Sequence, residues 1–161
     1  MDQDKSISFI IAENSTHFED AKNLFVEYSN SLSIDLSFQD FENELKSIAV
    51  QYSKPNGALI LVYVNDSAIA CAGIRKLDDE IAELKRMYVR PEFRGQNMSG
   101  QMLVMAINLS KKLNYKRIRL DTLPSMKAAQ KLYTAYGFYE IPAYRYNPIE
   151  GTVYMEKTRV D

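Results

Sequence analysis

Apolar side chains change their spacing along the first third of the chain, and each change predicts a different element. Residues 6–12 (SISFIIA) are rich in β-branched and aromatic side chains, which predicts a strand. Residues 13–32 place apolar side chains at helical spacing and predict an amphipathic helix, and residues 34–48 predict a second, shorter one. The candidate N-terminal caps are Ser15 or Thr16 for the first helix, and Ser37 or Asp40 for the second.

The rest of the chain alternates between β-rich runs and amphipathic runs, with turn residues between them. Residues 58–64 and 67–77 flank an Asn-Asp pair and predict a hairpin. The remaining predicted elements are strands over residues 80–89, 116–123, 138–141 and 152–157, and helices over residues 101–115 and 125–138. The order β-α-α-β-β-β-α-β-α-β-β predicts an α/β (α+β) fold, in which helices cover both faces of one mixed, mostly antiparallel central sheet.

Length, charge and composition narrow the class of protein. A chain of 161 residues has the usual length of one domain, so we expect residues 1–161 to form a single unit. The formal net charge of −1 gives no long-range attraction to phosphate backbones, so we expect no nucleic-acid partner. One cysteine, Cys71, and one histidine, His17, are too few for an internal disulfide or an ordinary zinc site. The first residues resemble neither a signal peptide nor a membrane span, which predicts a cytoplasmic protein without membrane contact.

The segment richest in chemistry is a predicted strand that leads through a glycine-containing turn into a helix. Its sequence is LKRMYV, then RPEFRGQNMSG, then QMLVMAINL. Such a turn directs several backbone N–H groups at one point, and the helix dipole adds positive potential there, so the turn is suited to bind a pyrophosphate. The alternative is a plain connection in which Gly95 serves only the geometry of the turn.

Two motifs in this chain resemble those of the GNAT N-acetyltransferases. The acetyl-CoA-binding pattern of that family is Arg or Gln, two residues, Gly, one residue, then Gly or Ala, and here it begins at Arg94, with Asn97 and Ser99 at the two small-residue positions. The second motif is AQKLYTAYGF, where the family has A-x-x-L-Y-x-x-x-G-F. Met126 stands where the family often has Asn. The resemblance covers most of the chain and implies a GNAT-like fold that binds acetyl-CoA as acyl donor.

The resemblance also implies roles for particular residues. It assigns cofactor binding to Met87, Tyr88, Val89, Arg94, Gly95, Gln96, Asn97, Met98, Ser99, Gly100 and Met126, with the backbone of Met87 and Val89 binding the pantetheine arm. Tyr133 is then the candidate acid for the departing thiolate, and Glu83 the candidate base, directly or through water. A tyrosine packed in the core and a surface glutamate paired with Lys85 or Arg75 are the alternatives. Strand alternation predicts that Glu83 shares its side of the strand with Lys85, Met87 and Val89.

An acceptor site is expected near the loop between the first two helices and the loop before the last strand. Asp35 is a candidate partner for an ammonium group, and Arg75 or Arg86 for a carboxylate. Tyr144 and Tyr146 are candidates for the wall of the site, and all five residues are equally compatible with plain surface or turn roles.

The favoured function is transfer of an acetyl group from acetyl-CoA to the primary amine of a small or amino-acid-like molecule, without a metal. The alternatives are acetylation of a protein or peptide, and a sensor that binds acyl-CoA without catalysis. Proteins of this family frequently form dimers, so a homodimer is a further expectation.

Overall fold

The computed structural model describes residues 6–32, 35–36 and 40–158, and the described strands form one sheet. The strands are β1 (Ile7–Ile11), β2 (Ala58–Val64), β3 (Ser67–Lys76), β4 (Ile81–Val89), β5 (Arg117–Thr122), β6 (Tyr139–Ile141) and β7 (Val153–Thr158). The helices are α1 (Ser15–Ser31), α2 (Phe41–Lys46), α3 (Ile48–Gln51), α4 (Met98–Lys112) and α5 (Lys127–Ala135). None of the helices in these ranges is long and apolar enough to cross a membrane.

The sheet has the order β1-β2-β3-β4-β5-β7-β6, and the pair β4·β5 is parallel while the other pairs are antiparallel. This arrangement confirms the predicted mixed, mostly antiparallel sheet. Helix α4 packs over β3 and β4 on one face, and α1 packs over the same strands on the other. The long central strands are therefore buried on both sides, which explains the near-continuous apolar runs in β2 and β3.

Two details at the front of the chain differ from the sequence prediction. The cap of α1 is Asn14, whose side chain accepts a hydrogen bond from the backbone N–H of His17 at 2.9 Å, and not Ser15 or Thr16. The second predicted helix is divided into α2 and α3 by a break at Ser47. Asp40 precedes α2, whereas the other candidate cap, Ser37, lies outside the described residues.

A β-bulge interrupts β4 at Arg86, and it overturns the predicted alternation. The register between β3 and β4 shifts between Cys71 and Gly73, and Arg86 adopts a left-handed backbone with φ 57°. Beyond the bulge, Met87 and Val89 pack into the core beneath α4 and α5. Glu83 lies on the opposite face, so it does not share a side with Met87 and Val89, because the extra residue reverses the faces of the strand.

Strands β4 and β5 separate after a short parallel stretch. Their pairing begins at Ile81 with Arg117 and ends at Glu83 with Arg119. Within the described strands, the edge of β4 from Leu84 onwards has no partner on the β5 side, while β5 continues to pair with β7 as far as Thr122. The separation opens a cleft through the middle of the sheet.

Candidate active site

The cleft between β4 and β5 opens into a cavity of about 380 Å³. Its walls come from the second half of β4, the turn before α4, the end of β5 and the first turns of α5. The residues lining it are Tyr28, Leu84, Arg86, Met87, Val89, Phe93, Arg94, Gly95, Asn97, Met98, Ser99, Gly100, Leu120, Asp121, Thr122, Met126, Ala128, Ala129, Leu132 and Tyr133. Most of these residues are apolar, so the polar groups of the turn and of β5 stand out as potential ligand contacts.

The turn before α4 presents an array of backbone donors to this cavity. Gly95 and Asn97 both adopt left-handed backbones, with φ 84° and 59°. Within the described part of the chain, no backbone N–H from Gly95 to Gly100 donates a hydrogen bond, and no side chain caps α4. The space beside Gly95 is open. The array therefore has the geometry of an anion site at a helix N-terminus, and it is not filled by the chain itself.

Asn97 stands where the family pattern has glycine, and its backbone is left-handed. Asn is the non-glycine residue that best tolerates a left-handed backbone, so its presence there preserves the turn. Its side-chain oxygen lies against Gly100, where a methyl group would collide with it. Gly100 is therefore required by close packing as well as by its position on the cavity wall.

We expect Gly100→Ala to weaken acetyl-CoA binding about tenfold, the equivalent of ~1.4 kcal/mol. The new methyl group collides with the Asn97 side chain, so Asn97 must shift and the turn that holds the backbone donors is disturbed. Isothermal titration calorimetry with acetyl-CoA measures the change. Asn108→Ala is the matched control, because Asn108 is an exposed residue of the same helix and does not line the cavity. Equal affinities for both variants would contradict the role of the turn.

The structure brings most, but not all, of the predicted cofactor residues to the cavity. Those lining it are Met87, Val89, Arg94, Gly95, Asn97, Met98, Ser99, Gly100 and Met126. Tyr88 instead packs in the apolar core on the α1 side of the sheet, where its ring centroid lies 5.5 Å from that of Tyr28. Gln96 does not line the cavity. The Arg94 side chain turns back and donates a hydrogen bond from Nε to the carbonyl of Val89 at 3.0 Å.

Tyr133 lies on the inner side of α5 and lines the same cavity. It is 7% exposed, and its hydroxyl donates to the sulfur of Met87 at 3.9 Å. A thioether is a weak acceptor, so this hydroxyl can exchange its partner at little cost when a ligand enters. Burial raises the pKa of the Tyr133 phenol above its usual value, so the group stays protonated and able to donate.

Glu83 is fully buried and lies in an ion cluster on the opposite face. Its carboxylate accepts hydrogen bonds from Arg75 Nε at 3.1 Å and from the Tyr144 hydroxyl at 2.8 Å, and it also pairs with Arg145. Burial alone would raise the pKa of Glu83, but the charges of Lys85, Arg145 and Arg75 and the hydrogen bond from Tyr144 lower it. A carboxylate with a lowered pKa is a weak base, and Glu83 does not line the cavity. The geometry therefore favours the ion-pair alternative, although the glutamate is buried and not at the surface.

The residues predicted for the acceptor site are dispersed. Arg86 lines the cavity, and it is held by Glu44 through two hydrogen bonds, of 2.7 and 3.1 Å. Arg75 and Tyr144 belong to the Glu83 cluster, so their side chains are engaged elsewhere. The last two do not line the cavity: Asp35 is exposed, and Tyr146 is 76% exposed.

A second, smaller cavity of about 50 Å³ adjoins the first on the side of α1. The residues lining it are Tyr28, Leu32, Leu36, Leu84, Lys85, Arg86, Asp121, Thr122, Leu123, Met126, Asn147 and Thr152. Sequence reasoning did not single out Asp121 or Thr122. The sequence did carry a signal for these residues, because both lie at the end of β5, which runs parallel to β4. Ligands often bind at the carboxyl ends of parallel strands.

Comparison with known proteins agrees with this geometry. The model of the acetyltransferase (GNAT) family matches residues 18–138. An uncharacterized N-acetyltransferase of Schizosaccharomyces pombe is 34% identical over 139 residues, which are 85% of each chain. The N-acetylaspartate synthetase of Danio rerio is 29% identical over 135 residues, which are 76% of this chain and 48% of that protein. A GNAT family acetyltransferase from Elizabethkingia anophelis, crystallised with acetyl-CoA bound, superimposes with a TM-score of 0.68 at 24% identity, covering 97% of this chain and 99% of that one. The chain therefore belongs to the GNAT acetyltransferase family and is an N-acetyltransferase.

Proposed function

We propose that this protein transfers the acetyl group of acetyl-CoA to the primary amine of a small molecule. The observation that carries the proposal is the arrangement of the first cavity, in which an open array of backbone donors, an unpaired strand edge and the Tyr133 hydroxyl face the same space. Each of these features matches one part of an acyl-CoA: the diphosphate, the pantetheine arm and the sulfur.

The donor fits the cavity from its charged end to its reactive end. The diphosphate accepts hydrogen bonds from the N–H groups between Gly95 and Gly100, where the dipole of α4 adds favourable potential. The amide groups of pantetheine pair with the free edge of β4 as an added strand does. The thioester then lies between β4 and α5, within reach of Tyr133.

The chemistry needs three changes at the thioester. The amine attacks the carbonyl carbon, negative charge develops on the oxygen, and the carbon–sulfur bond breaks. Tyr133 protonates the leaving sulfur, and the backbone N–H groups on the open edge of β4 are the donors nearest to the developing oxyanion. Burial keeps this phenol neutral and able to donate, and the same burial disfavours a charged thiolate beside it, so transfer of the proton to sulfur relieves the charge that forms as the C–S bond breaks.

Two observations favour a small acceptor over a protein. The cavity next to the thioester site is about 50 Å³, which suits a few atoms and not an extended peptide. The Danio rerio relative is named as an N-acetylaspartate synthetase, which supports an acceptor of amino-acid size. Membership of an acetyltransferase family favours catalysis over a sensor that only binds.

The test combines binding with turnover. Calorimetry with acetyl-CoA measures donor affinity, and release of free thiol is then followed against amines, amino acids and lysine-containing peptides. Micromolar donor binding with turnover of small amines supports the proposal. Turnover of peptides alone would replace it with the protein-acetylation alternative, and binding without thiol release from any acceptor would contradict it in favour of the sensor.

A further inference from the structure

Two polar atoms at the end of β5 are buried without a hydrogen-bond partner among the described residues. They are Oδ2 of Asp121 and Oγ1 of Thr122, and Thr122 is only 5% exposed. An unsatisfied buried polar atom costs stability, on the order of 1–3 kcal/mol, so folded proteins rarely retain one. The adjacent pair therefore indicates that something other than the folded chain satisfies these atoms.

Their location identifies what that partner must reach. Both residues line the donor cavity and also the smaller cavity beside it, and Tyr28, Leu84, Arg86 and Met126 line both as well. The two cavities therefore share a wall that contains these polar atoms. A group bound at this wall is adjacent to the proposed thioester position in the first cavity. It is also adjacent to the smaller cavity, where we propose that the acceptor binds.

The chemistry of the two atoms determines the class of group. An ionised carboxylate only accepts hydrogen bonds, and a threonine hydroxyl accepts as readily as it donates. An ammonium group carries three donors and a positive charge, so it satisfies both atoms at once and pairs with the charge of Asp121. A neutral donor such as water can satisfy both atoms but does not pair with the charge of Asp121, and that charge repels an anionic group.

Two basic residues also line the smaller cavity. These residues are Lys85 and Arg86, and both are buried, with exposed fractions of 4% and 7%. Burial lowers the pKa of Lys85 to about 8, although the charge of Glu83 acts in the other direction. Glu44 already pairs with Arg86, and the charge of Glu83 acts on Lys85, so an anionic group in this space would be a further partner of the two cations. Because the cavity is small, an anion and an ammonium bound there together would belong to one small molecule.

We propose that the acceptor is an α-amino acid, whose ammonium group is bound by Asp121 and Thr122 and whose carboxylate faces Lys85 and Arg86. This proposal rests on the proposed function, and it adds the chemical class of the acceptor and the residue that receives its proton. Asp121 takes over the role that the sequence had suggested for Glu83.

The transfer balances as follows. The ammonium loses one proton to Asp121, directly or through water, and Asp121 passes it to solvent. The nitrogen lone pair forms the C–N bond with the thioester carbon, and the C–S bond breaks. The sulfur takes the proton of Tyr133, and the second proton leaving the nitrogen restores the Tyr133 hydroxyl. The products are the N-acetyl amino acid, the free thiol of CoA and one proton.

The first arm of the test uses the wild-type protein with acetyl-CoA. The twenty common L-amino acids are screened for thiol release, and each accepted one is compared with the amine that lacks its α-carboxylate, such as L-leucine with isoamylamine and L-aspartate with β-alanine. We expect the α-carboxylate to raise kcat/KM for the acceptor at least about tenfold, the effect of one charged hydrogen bond. Equal rates for both members of every pair would overturn the proposal and leave the proposed function standing. If no amine of any kind is acetylated, the proposed function itself has failed.

The second arm uses variants at the end of β5. Asp121→Asn is expected to lower kcat/KM for the acceptor about 10- to 100-fold, because it removes the charge that binds the ammonium. The affinity for acetyl-CoA should stay unchanged. Asp66→Asn is the matched control, since Asp66 lies exposed in the turn between β2 and β3. A loss of acetyl-CoA affinity in Asp121→Asn, with acceptor kinetics unchanged, would overturn the assignment.

Thr122→Val separates a binding role from a structural one. Valine removes a buried hydroxyl that has no partner, so the melting temperature should stay the same or rise. The acceptor kcat/KM should nevertheless fall. A variant that is less stable and fully active would show that the Thr122 hydroxyl supports the fold and not the acceptor, and would overturn its part of the proposal even if Asp121→Asn fails to fold.

Discussion

Tyr133→Phe is expected to lower kcat about 10²- to 10⁴-fold while the KM for acetyl-CoA changes little, because a positioned general acid contributes a factor of this size. The substitution removes only the hydroxyl. The ring keeps its packing against Phe138, whose ring centroid lies 5.8 Å away, so the cavity retains its shape. Steady-state thiol release with a fixed acceptor measures kcat and both KM values.

The matched control is Tyr146→Phe. Tyr146 is 76% exposed and lines neither cavity, so the loss of its hydroxyl should leave kcat unchanged. If Tyr133→Phe turns over at the wild-type rate, the phenol is not the acid and the departing thiolate must take its proton from solvent. A large rise in the KM for acetyl-CoA at constant kcat would instead assign the hydroxyl to binding alone.

Glu44→Ala is expected to lower the free energy of unfolding by about 3–5 kcal/mol, the cost of leaving one member of a buried ion pair without its partner. Glu44 is 2% exposed, accepts two hydrogen bonds from Arg86 and accepts a third from the Tyr52 hydroxyl at 2.9 Å. Its loss also releases the left-handed residue of the bulge, so kcat should fall with stability. Urea unfolding followed by circular dichroism measures the change.

Glu42→Ala provides the comparison on the same helix. Its side chain is 85% exposed and pairs with Lys46 at 3.4 Å across one turn. An exposed pair of this kind contributes about 0.3–0.5 kcal/mol, so this variant should unfold almost as the wild type does. Similar losses in the two variants would show that the Glu44 ion pair contributes no more than an exposed one.

The same ion pair predicts a pH dependence of stability. Burial alone would raise the pKa of Glu44, but its bonds and charge pairing with Arg86, helped by Lys85 and Arg75, lower it below the usual 4.5. A carboxyl group with a lowered folded-state pKa stabilises the protein above its unfolded value and loses that contribution as the pH falls through the folded value. Glu44→Gln removes this titration, so the unfolding free energy of the variant should depend less on pH below 4.5 than that of the wild type.

The sequence predicted the order of the elements because each element carries its own periodic pattern. Alternating and helical apolar spacing placed β1 to β7 and the main helices close to their observed positions, and the turn chemistry of the segment before α4 predicted an anion site. The left-handed Asn97 follows from the same local reasoning, since asparagine tolerates that backbone. That residues 1–161 form one domain and that the protein forms a homodimer stay predictions.

The catalytic arrangement depended on contacts that no local pattern carries. The bulge at Arg86 is stabilised by Glu44, which is 42 residues away in the sequence, and it reversed the side on which Glu83 had been expected. Strands β4 and β5 separate after Glu83 and Arg119 while β5 continues to pair with β7, and this places Asp121 and Thr122 on the wall between the two cavities. Local sequence therefore determined the elements and the anion-binding turn. Tertiary packing decided which face of the sheet each side chain of β4 occupies, and which residues form the acceptor side of the cleft, because those positions depend on partners distant along the chain.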